Sequence, residues 1–160
     1  MRIVLSVMIF TLLAGCGANS TVNNSGTANQ AASDAGSASD KDVSDARLKA
    51  EDMLGALKNR ARVAYARVGV EPKTLTGDFE DGGCKVSPDQ LKDGSYQVRD
   101  TVYKKPDMVR GALACEPTAG AEYYGFGALY FNYSDGKDEL SWYDTKERLE
   151  EALRAFQTAK

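Results

Sequence analysis

The chain contains no histidine, and that absence narrows the chemistry available to it. Without histidine, the Ser-His-Asp triad, the Cys-His pair, a histidine general base and histidine-ligated zinc are all excluded. No apolar run approaches the roughly 20 residues that a helix needs to span a bilayer. The net charge of −3 gives no general attraction to nucleic acid or to an anionic membrane surface, so we expect no nucleic-acid partner. With 160 residues, the chain has room for one globular domain at most.

The N-terminal residues have the pattern of an export signal. Met1 and Arg2 form a short basic region, and residues 3–13 form an apolar run interrupted only by Ser6 and Thr11. The run is too short for a transmembrane helix, but it has the length of the apolar region of a signal peptide. We therefore expect residues 1–15 to be a signal peptide.

The apolar run ends in Leu-Ala-Gly-Cys at positions 13–16. This tetrapeptide resembles the lipobox of bacterial lipoprotein precursors. The resemblance implies that the Cys16 thiol is alkylated with diacylglycerol and that cleavage leaves Cys16 as the new N-terminus. Membrane attachment would then be through a lipid anchor at Cys16. By the sorting rule of such lipoproteins, Gly17 rather than Asp after the cysteine favours the outer over the inner membrane in an organism with two membranes.

A polar segment follows the cysteine. From Gly17 to Val43 the sequence consists mainly of Asn, Ser, Ala, Gly, Thr and Asp. Such a composition buries too little apolar surface to offset the entropy lost on ordering. We predict that residues 16–43 comprise the lipidated cysteine and a disordered tether, and that residues 44–160 form the globular domain.

The domain begins with the pattern of one long helix. Ser44 is a suitable N-cap, and apolar residues follow it at steps of three and four as far as Val68. Gly69 and Pro72 then mark the end of the helix.

Beyond Pro72 the apolar periodicity shortens to that of strands, with an Asp-Gly hairpin signal at positions 135–136. The predicted strands are residues 96–103, 108–115, 129–133 and 139–143. The pattern of residues 144–156 predicts a short C-terminal helix, with Asp144 and Glu147 as its capping pair. The expected fold is α+β: a long N-terminal helix packed on an antiparallel sheet of about four strands, with a short C-terminal helix.

This order of elements, with the helix from Ala46 to Val68, its end at residues 64–69, and the following Pro72 and Leu75, resembles the soluble half of type IV pilins and pseudopilins. The resemblance covers residues 44–143 and implies a pilin-like globular domain. Pilins carry an uncleaved hydrophobic helix that packs the filament core. Here a lipobox and a polar tether stand in its place.

Cys84 and Cys115 remain once Cys16 is assigned to lipidation. Oxidising conditions outside the cytoplasm favour a disulfide between them, which would stabilise the domain by roughly 3–4 kcal/mol on the chain-entropy model. The alternative is a redox pair, but the two cysteines lack the close C-x-x-C spacing of such pairs.

Two charged segments are candidates for ion binding. The carboxylates of the glycine-containing loop 78–83 could hold Ca²⁺, as could Asp135, Asp138 and Glu139 at the hairpin tip, although neither set matches EF-hand spacing. Lysine and arginines at positions 58–62 could bind an anion or a phospholipid headgroup. The alternative for each segment is an ordinary solvated surface, and we assign no metal ligand.

Aromatic residues concentrate between Tyr123 and Tyr143. They could form a platform for sugar rings or for a protein partner, because amphipathic aromatics are enriched at interfaces. Strand alternation also places Trp142 and Tyr143 on opposite faces of one strand, so part of the group is expected in the core. The members considered for the platform are Tyr123, Tyr124, Tyr130, Trp142 and Tyr143.

The sequence assigns no catalytic or cofactor-binding residue, and we expect neither enzymatic activity nor a cofactor. The leading expectation is a lipid-anchored cell-envelope protein, a non-catalytic module that binds or scaffolds an envelope protein or glycan. A small exported inhibitor or accessory subunit is one alternative. An enzyme using only carboxylates, such as a glycan hydrolase with an Asp/Glu pair, is the other.

Overall fold

The structure, a computed structural model, describes residues 39–107 and 109–159. The expected signal peptide, Cys16 and most of the expected tether lie outside the described residues. Two helices and one antiparallel sheet make up the fold, which confirms the α+β class. The elements in chain order are α1 (Asp40–Val68), β1 (Lys92–Asp93), β2 (Tyr96–Val98), β3 (Tyr103–Lys104), β4 (Arg110–Pro117), β5 (Phe126–Asn132), β6 (Asp138–Tyr143) and α2 (Lys146–Thr158). No helix in the described ranges is long and apolar enough to cross a bilayer.

Helix α1 begins earlier than predicted. Its N-cap is Ser39, not Ser44, because Ser39 and Asp42 form a reciprocal capping box that satisfies free backbone amides of the first turn. Residues 40–43, predicted to be tether, are therefore helical. The other end of the helix is as predicted, since Gly69 adopts a left-handed conformation with φ of 73° and donates its N–H to the Tyr65 carbonyl.

The sheet has six strands instead of about four, in the order β1-β2-β4-β5-β6, with β3 also paired to β4. The strand predicted at 96–103 is divided into β2 and β3, which pair with the two ends of β4. Asp100 lies between them, and its carboxylate accepts hydrogen bonds from the backbone N–H groups of Leu75 and Thr76 at 2.8 Å each. At Asp100 the chain leaves the sheet, and these hydrogen bonds connect it to the segment that follows α1.

Both faces of the central strands β4 and β5 are buried, one face by each helix. Side chains alternate along β4 and β5, so that one face carries larger residues and the other mainly alanines. The first face shares a core with α1, in which Leu54, Leu57, Leu113, Leu129 and Phe131 are buried. The second shares a core with α2, in which Ala112, Ala114, Ala128, Leu149 and Leu153 are buried. The domain is therefore a helix–sheet–helix arrangement of three layers.

A small ionic network joins α2 to the sheet. Glu116 of β4 pairs with Arg99 and with Lys146 of α2, and Arg99 also contacts the Glu150 carboxylate at 2.6 Å. The N-cap of α2 is Thr145, whose hydroxyl accepts from the Arg148 N–H, so the predicted Asp144–Glu147 capping pair is wrong.

Candidate functional site

The aromatic group considered for a platform is divided between the two cores. Trp142 and Tyr124 pack against the α1-side core, and Tyr130 and Tyr143 pack against the α2-side core, with their hydroxyls 2.9 Å apart. Only Tyr123 is largely accessible, with half of its surface exposed. The rings of Tyr123 and Tyr124 lie 4.4 Å apart, but the five residues do not share one surface, because they divide between the two sides of the sheet.

The basic segment of α1 holds the hairpin between β5 and β6. Lys58 pairs with Asp138, and Arg62 donates from Nε to the Tyr133 carbonyl at 3.1 Å. Gly136 lies directly against the Arg62 guanidinium, where a side chain would collide with it. Arg60 remains exposed on the outer surface. Two of the three basic residues are thus used within the fold.

The acidic residues at the hairpin tip line an open cleft of about 430 Å³. Asp138 is paired with Lys58, and Asp135 lies 3.5 Å from the Lys137 ammonium. Hydrogen bonds and charge from Lys137 lower the pKa of Asp135. In the described ranges, no group of three metal-ligating side chains is close enough to hold a metal ion, here or in the 78–83 loop.

Cys84 and Cys115 do not form the predicted disulfide. Both are free thiols, and both are buried in the α1-side core. Burial raises the pKa of Cys84 to about 11, with a further contribution from Asp100, and burial raises that of Cys115 to about 12. Neither thiol is activated as a nucleophile, because the reactive thiolate is strongly disfavoured.

The 78–83 loop is a turn held by its own backbone hydrogen bonds. The Asp78 carbonyl accepts from the N–H groups of Asp81 and Gly83, at 3.1 and 2.6 Å. The Asp78 side chain lies 3.4 Å from the Lys85 ammonium. Gly83 packs so closely on Gly77 that a Cβ would lie 1.9 Å from the Gly77 carbonyl, so the turn requires glycine there.

Between this loop and the end of α1 lies a pocket of about 190 Å³. Glu71 lines it and is only 7% exposed, the one charged residue buried in the described part of the chain. Its carboxylate has no ion pair or hydrogen bond among the described residues. Glu80, Asp81 and Lys73 supply the other charges of the lining. The pocket thus contains three carboxylates and one ammonium group.

The remaining walls of the pocket are apolar. Val68 and Val70 lie at its edge and are 48% and 56% exposed, and the Phe79 ring forms part of the lining. Arg67 and Lys85 lie over that ring, with their cationic groups 5.1 and 5.2 Å from its centroid. Neither cation is paired with Glu71.

The Tyr133 side chain is buried in the α1-side core. Burial raises its pKa, and the neighbouring Cys84 thiol and Glu71 carboxylate add to the effect. The hydroxyl makes no hydrogen bond within the described residues. Neither Glu71 nor Tyr133 therefore has a side-chain partner among the residues that the structure describes.

Sequence reasoning identified the 78–83 loop as a candidate cation site but missed Glu71, the residue that the pocket buries. The only sequence signal is a carboxylate between Val70 and Pro72, where the chain leaves α1, and the sequence alone assigns it no role. The candidate site therefore rests on the geometry of this chain alone: no family model matches it, and no curated protein or solved structure is significantly similar to it.

Proposed function

We propose that this chain is a lipid-anchored cell-envelope protein whose pilin-like globular domain is a non-catalytic binding module. The anchor is a diacylglycerol group on Cys16, and the favoured location is the outer membrane of an organism with two membranes. The partner is an envelope protein or glycan. Support for the pilin-like fold comes from the long helix α1 preceding an antiparallel sheet in the chain.

The observation that carries the binding role is the pocket at Glu71. Glu71 lines this pocket, is only 7% exposed and has no ion pair or hydrogen bond among the described residues, so its carboxylate is free to contact a ligand. The two thiols of the domain are buried and have raised pKa values, so they are not available for catalysis. The pocket, by contrast, has accessible apolar residues and a carboxylate with no ion pair among the described residues. Such a site is suited to holding a ligand rather than to transforming one.

Lipidation is tested by replacing Cys16. The wild-type chain should fractionate with membranes, and its N-terminal peptide should carry the mass of diacylglycerol on Cys16. Cys16→Ser should give an unprocessed or released protein, because thioether attachment requires sulfur. Cys84→Ser is the matched control and should leave the anchor intact. An unmodified mature N-terminus at another position would refute the lipid anchor.

A further inference from the structure

We propose that the Glu71 pocket binds a long basic side chain, with the ammonium or guanidinium group of a lysine or arginine against the Glu71 carboxylate. The inference deepens the proposed binding role and rests on it. The same chemistry is offered by a small free alkylamine, and the experiment below separates the two sources.

Charge is the first reason for a cation. Three carboxylates and one ammonium line the pocket, and Arg67 and Lys85 lie outside the lining, over its Phe79 ring. The most buried of the carboxylates, Glu71, has no counter-ion among the described residues. A cation entering the pocket would pair with Glu71, the least exposed of these carboxylates.

The chemistry of the walls specifies an organic cation rather than a metal ion. In the described ranges, no three metal-ligating side chains lie close enough together to coordinate a metal. The exposed surfaces of Val68 and Val70 stand at the edge instead. Lysine and arginine combine a cationic head with an aliphatic stem that packs on such apolar surface.

The size of the pocket agrees with one side chain. Its volume of about 190 Å³ equals that of about six water molecules. Sites for drug-sized ligands are typically about 300–1,000 Å³. The pocket is therefore suited to a single long side chain or to a small alkylamine.

Binding is measured by isothermal titration calorimetry on the full-length chain in detergent micelles. The probes are acetyl-Gly-Lys-Gly-amide, its arginine counterpart and n-butylamine. A peptide with norleucine in place of lysine keeps the stem and removes the charge. We expect saturable binding of the cationic probes and none of the norleucine peptide.

Variants of the lining test whether Glu71 is responsible. Glu71→Gln keeps the shape and removes the charge, and it should weaken binding by about tenfold or more. Glu80→Gln removes an exposed carboxylate of the same lining and should change the affinity by less than about threefold. Lys73→Met removes the one lysine of the lining and should strengthen binding by up to about fivefold. Because Lys73 is exposed, its variant should fold even if Glu71→Gln does not.

The outcomes separate the alternatives. Tighter binding of the peptides than of n-butylamine identifies a protein side chain as the ligand, and equal binding identifies any alkyl cation. Absence of saturable binding, or an unchanged affinity in both Glu71→Gln and Lys73→Met, overturns the inference. That failure would leave the mass of Cys16 and its membrane attachment unaffected, so the lipid-anchored assignment is tested separately.

Discussion

At the scale of single residues, the buried groups of this domain are more informative than its exposed ones. Cys84 and Cys115 are buried free thiols, whereas the expected export of the chain had led to the prediction of a disulfide between them. The number of cysteines and the compartment favour a bridge, but a disulfide also requires Cα atoms within about 7 Å, and spacing along the chain does not provide that distance. The two cysteines instead serve as small apolar residues of the core.

The thiols give the first prediction. In the native protein, an alkylating reagent at pH 8 should leave Cys84 and Cys115 unmodified, because both are buried and burial raises their pKa values to about 11 and 12. In denaturant without reductant, both should react fully. Mass spectrometry of the digested protein reads each site separately, and a peptide pair linked through Cys84 and Cys115 would contradict the free thiols.

Glu116 gives a pH-dependent prediction. Burial acts to raise its pKa, but hydrogen bonds and charge from Lys146 and Arg99 outweigh burial and hold the pKa below its usual 4.5. The unfolded chain therefore takes up this proton first on acidification. The stability that Glu116 contributes is fully present above the unfolded pKa and is lost as the pH falls through the lower folded pKa.

Urea unfolding at several pH values measures this contribution. At pH 7, Glu116→Gln should lower the free energy of unfolding by about 1–2 kcal/mol. The difference from wild type should shrink as the pH falls below 4.5. Glu151→Gln, an exposed change on α2, should stay within about 0.5 kcal/mol at every pH. A difference for Glu116→Gln that does not depend on pH would show that its charge is not involved.

At the scale of elements, the sequence predicts the types of the helices and strands better than their limits. The end of α1 is predictable because Gly69 adopts the left-handed conformation that glycine favours. Its start was misplaced because two serines compete, and only Ser39 has an acidic residue three positions later to complete a capping box. The Arg47 side chain, three residues after Ser44, instead donates to the Tyr124 carbonyl at 2.7 Å.

The division between β2 and β3 depends on a contact remote in sequence. The Asp100 carboxylate accepts hydrogen bonds from Leu75 and Thr76. The alternation of residues 96–103 alone does not indicate that the strand is interrupted there. Glu71 was missed for the same reason. From the sequence, a carboxylate beside a helix end is expected to face solvent. In the fold, residues of the 78–83 loop form a pocket together with Glu71, and the sequence does not indicate this contact.

The contact between α1 and the hairpin gives a prediction at this scale. Arg62→Ala removes the hydrogen bonds from its guanidinium to the carbonyls of Tyr133 and Ser134, at 3.1 and 3.4 Å. We expect a loss of about 1–2 kcal/mol of stability, because charged donors contribute more than neutral ones. Arg60→Ala, on the exposed surface of the same helix, should cost less than about 0.5 kcal/mol. Thermal denaturation compares the two, and equal melting temperatures would mean that Arg62 does not fasten the hairpin.

At the scale of the whole domain, β4 and β5 belong to both cores. Leu113 and Leu129 face α1, and Ala112, Ala114 and Ala128 face α2. The strand predicted at 129–133 covers only the second half of β5, and which helix covers each face depends on the path of the chain. A defect in one core is therefore transmitted to the other through shared strands.

This sharing predicts a single unfolding transition. Leu54→Ala opens a cavity on the α1 side and Leu153→Ala one on the α2 side, and each should cost about 2–5 kcal/mol because both leucines are 1% exposed. Fluorescence of Trp142 reports the α1-side core, whereas circular dichroism reports all elements. If the layers unfold together, Leu153→Ala shifts both signals to the same lower midpoint, although its cavity lies across the sheet from Trp142. An unchanged Trp142 midpoint in Leu153→Ala would mean that α2 detaches by itself and that the two cores are independent.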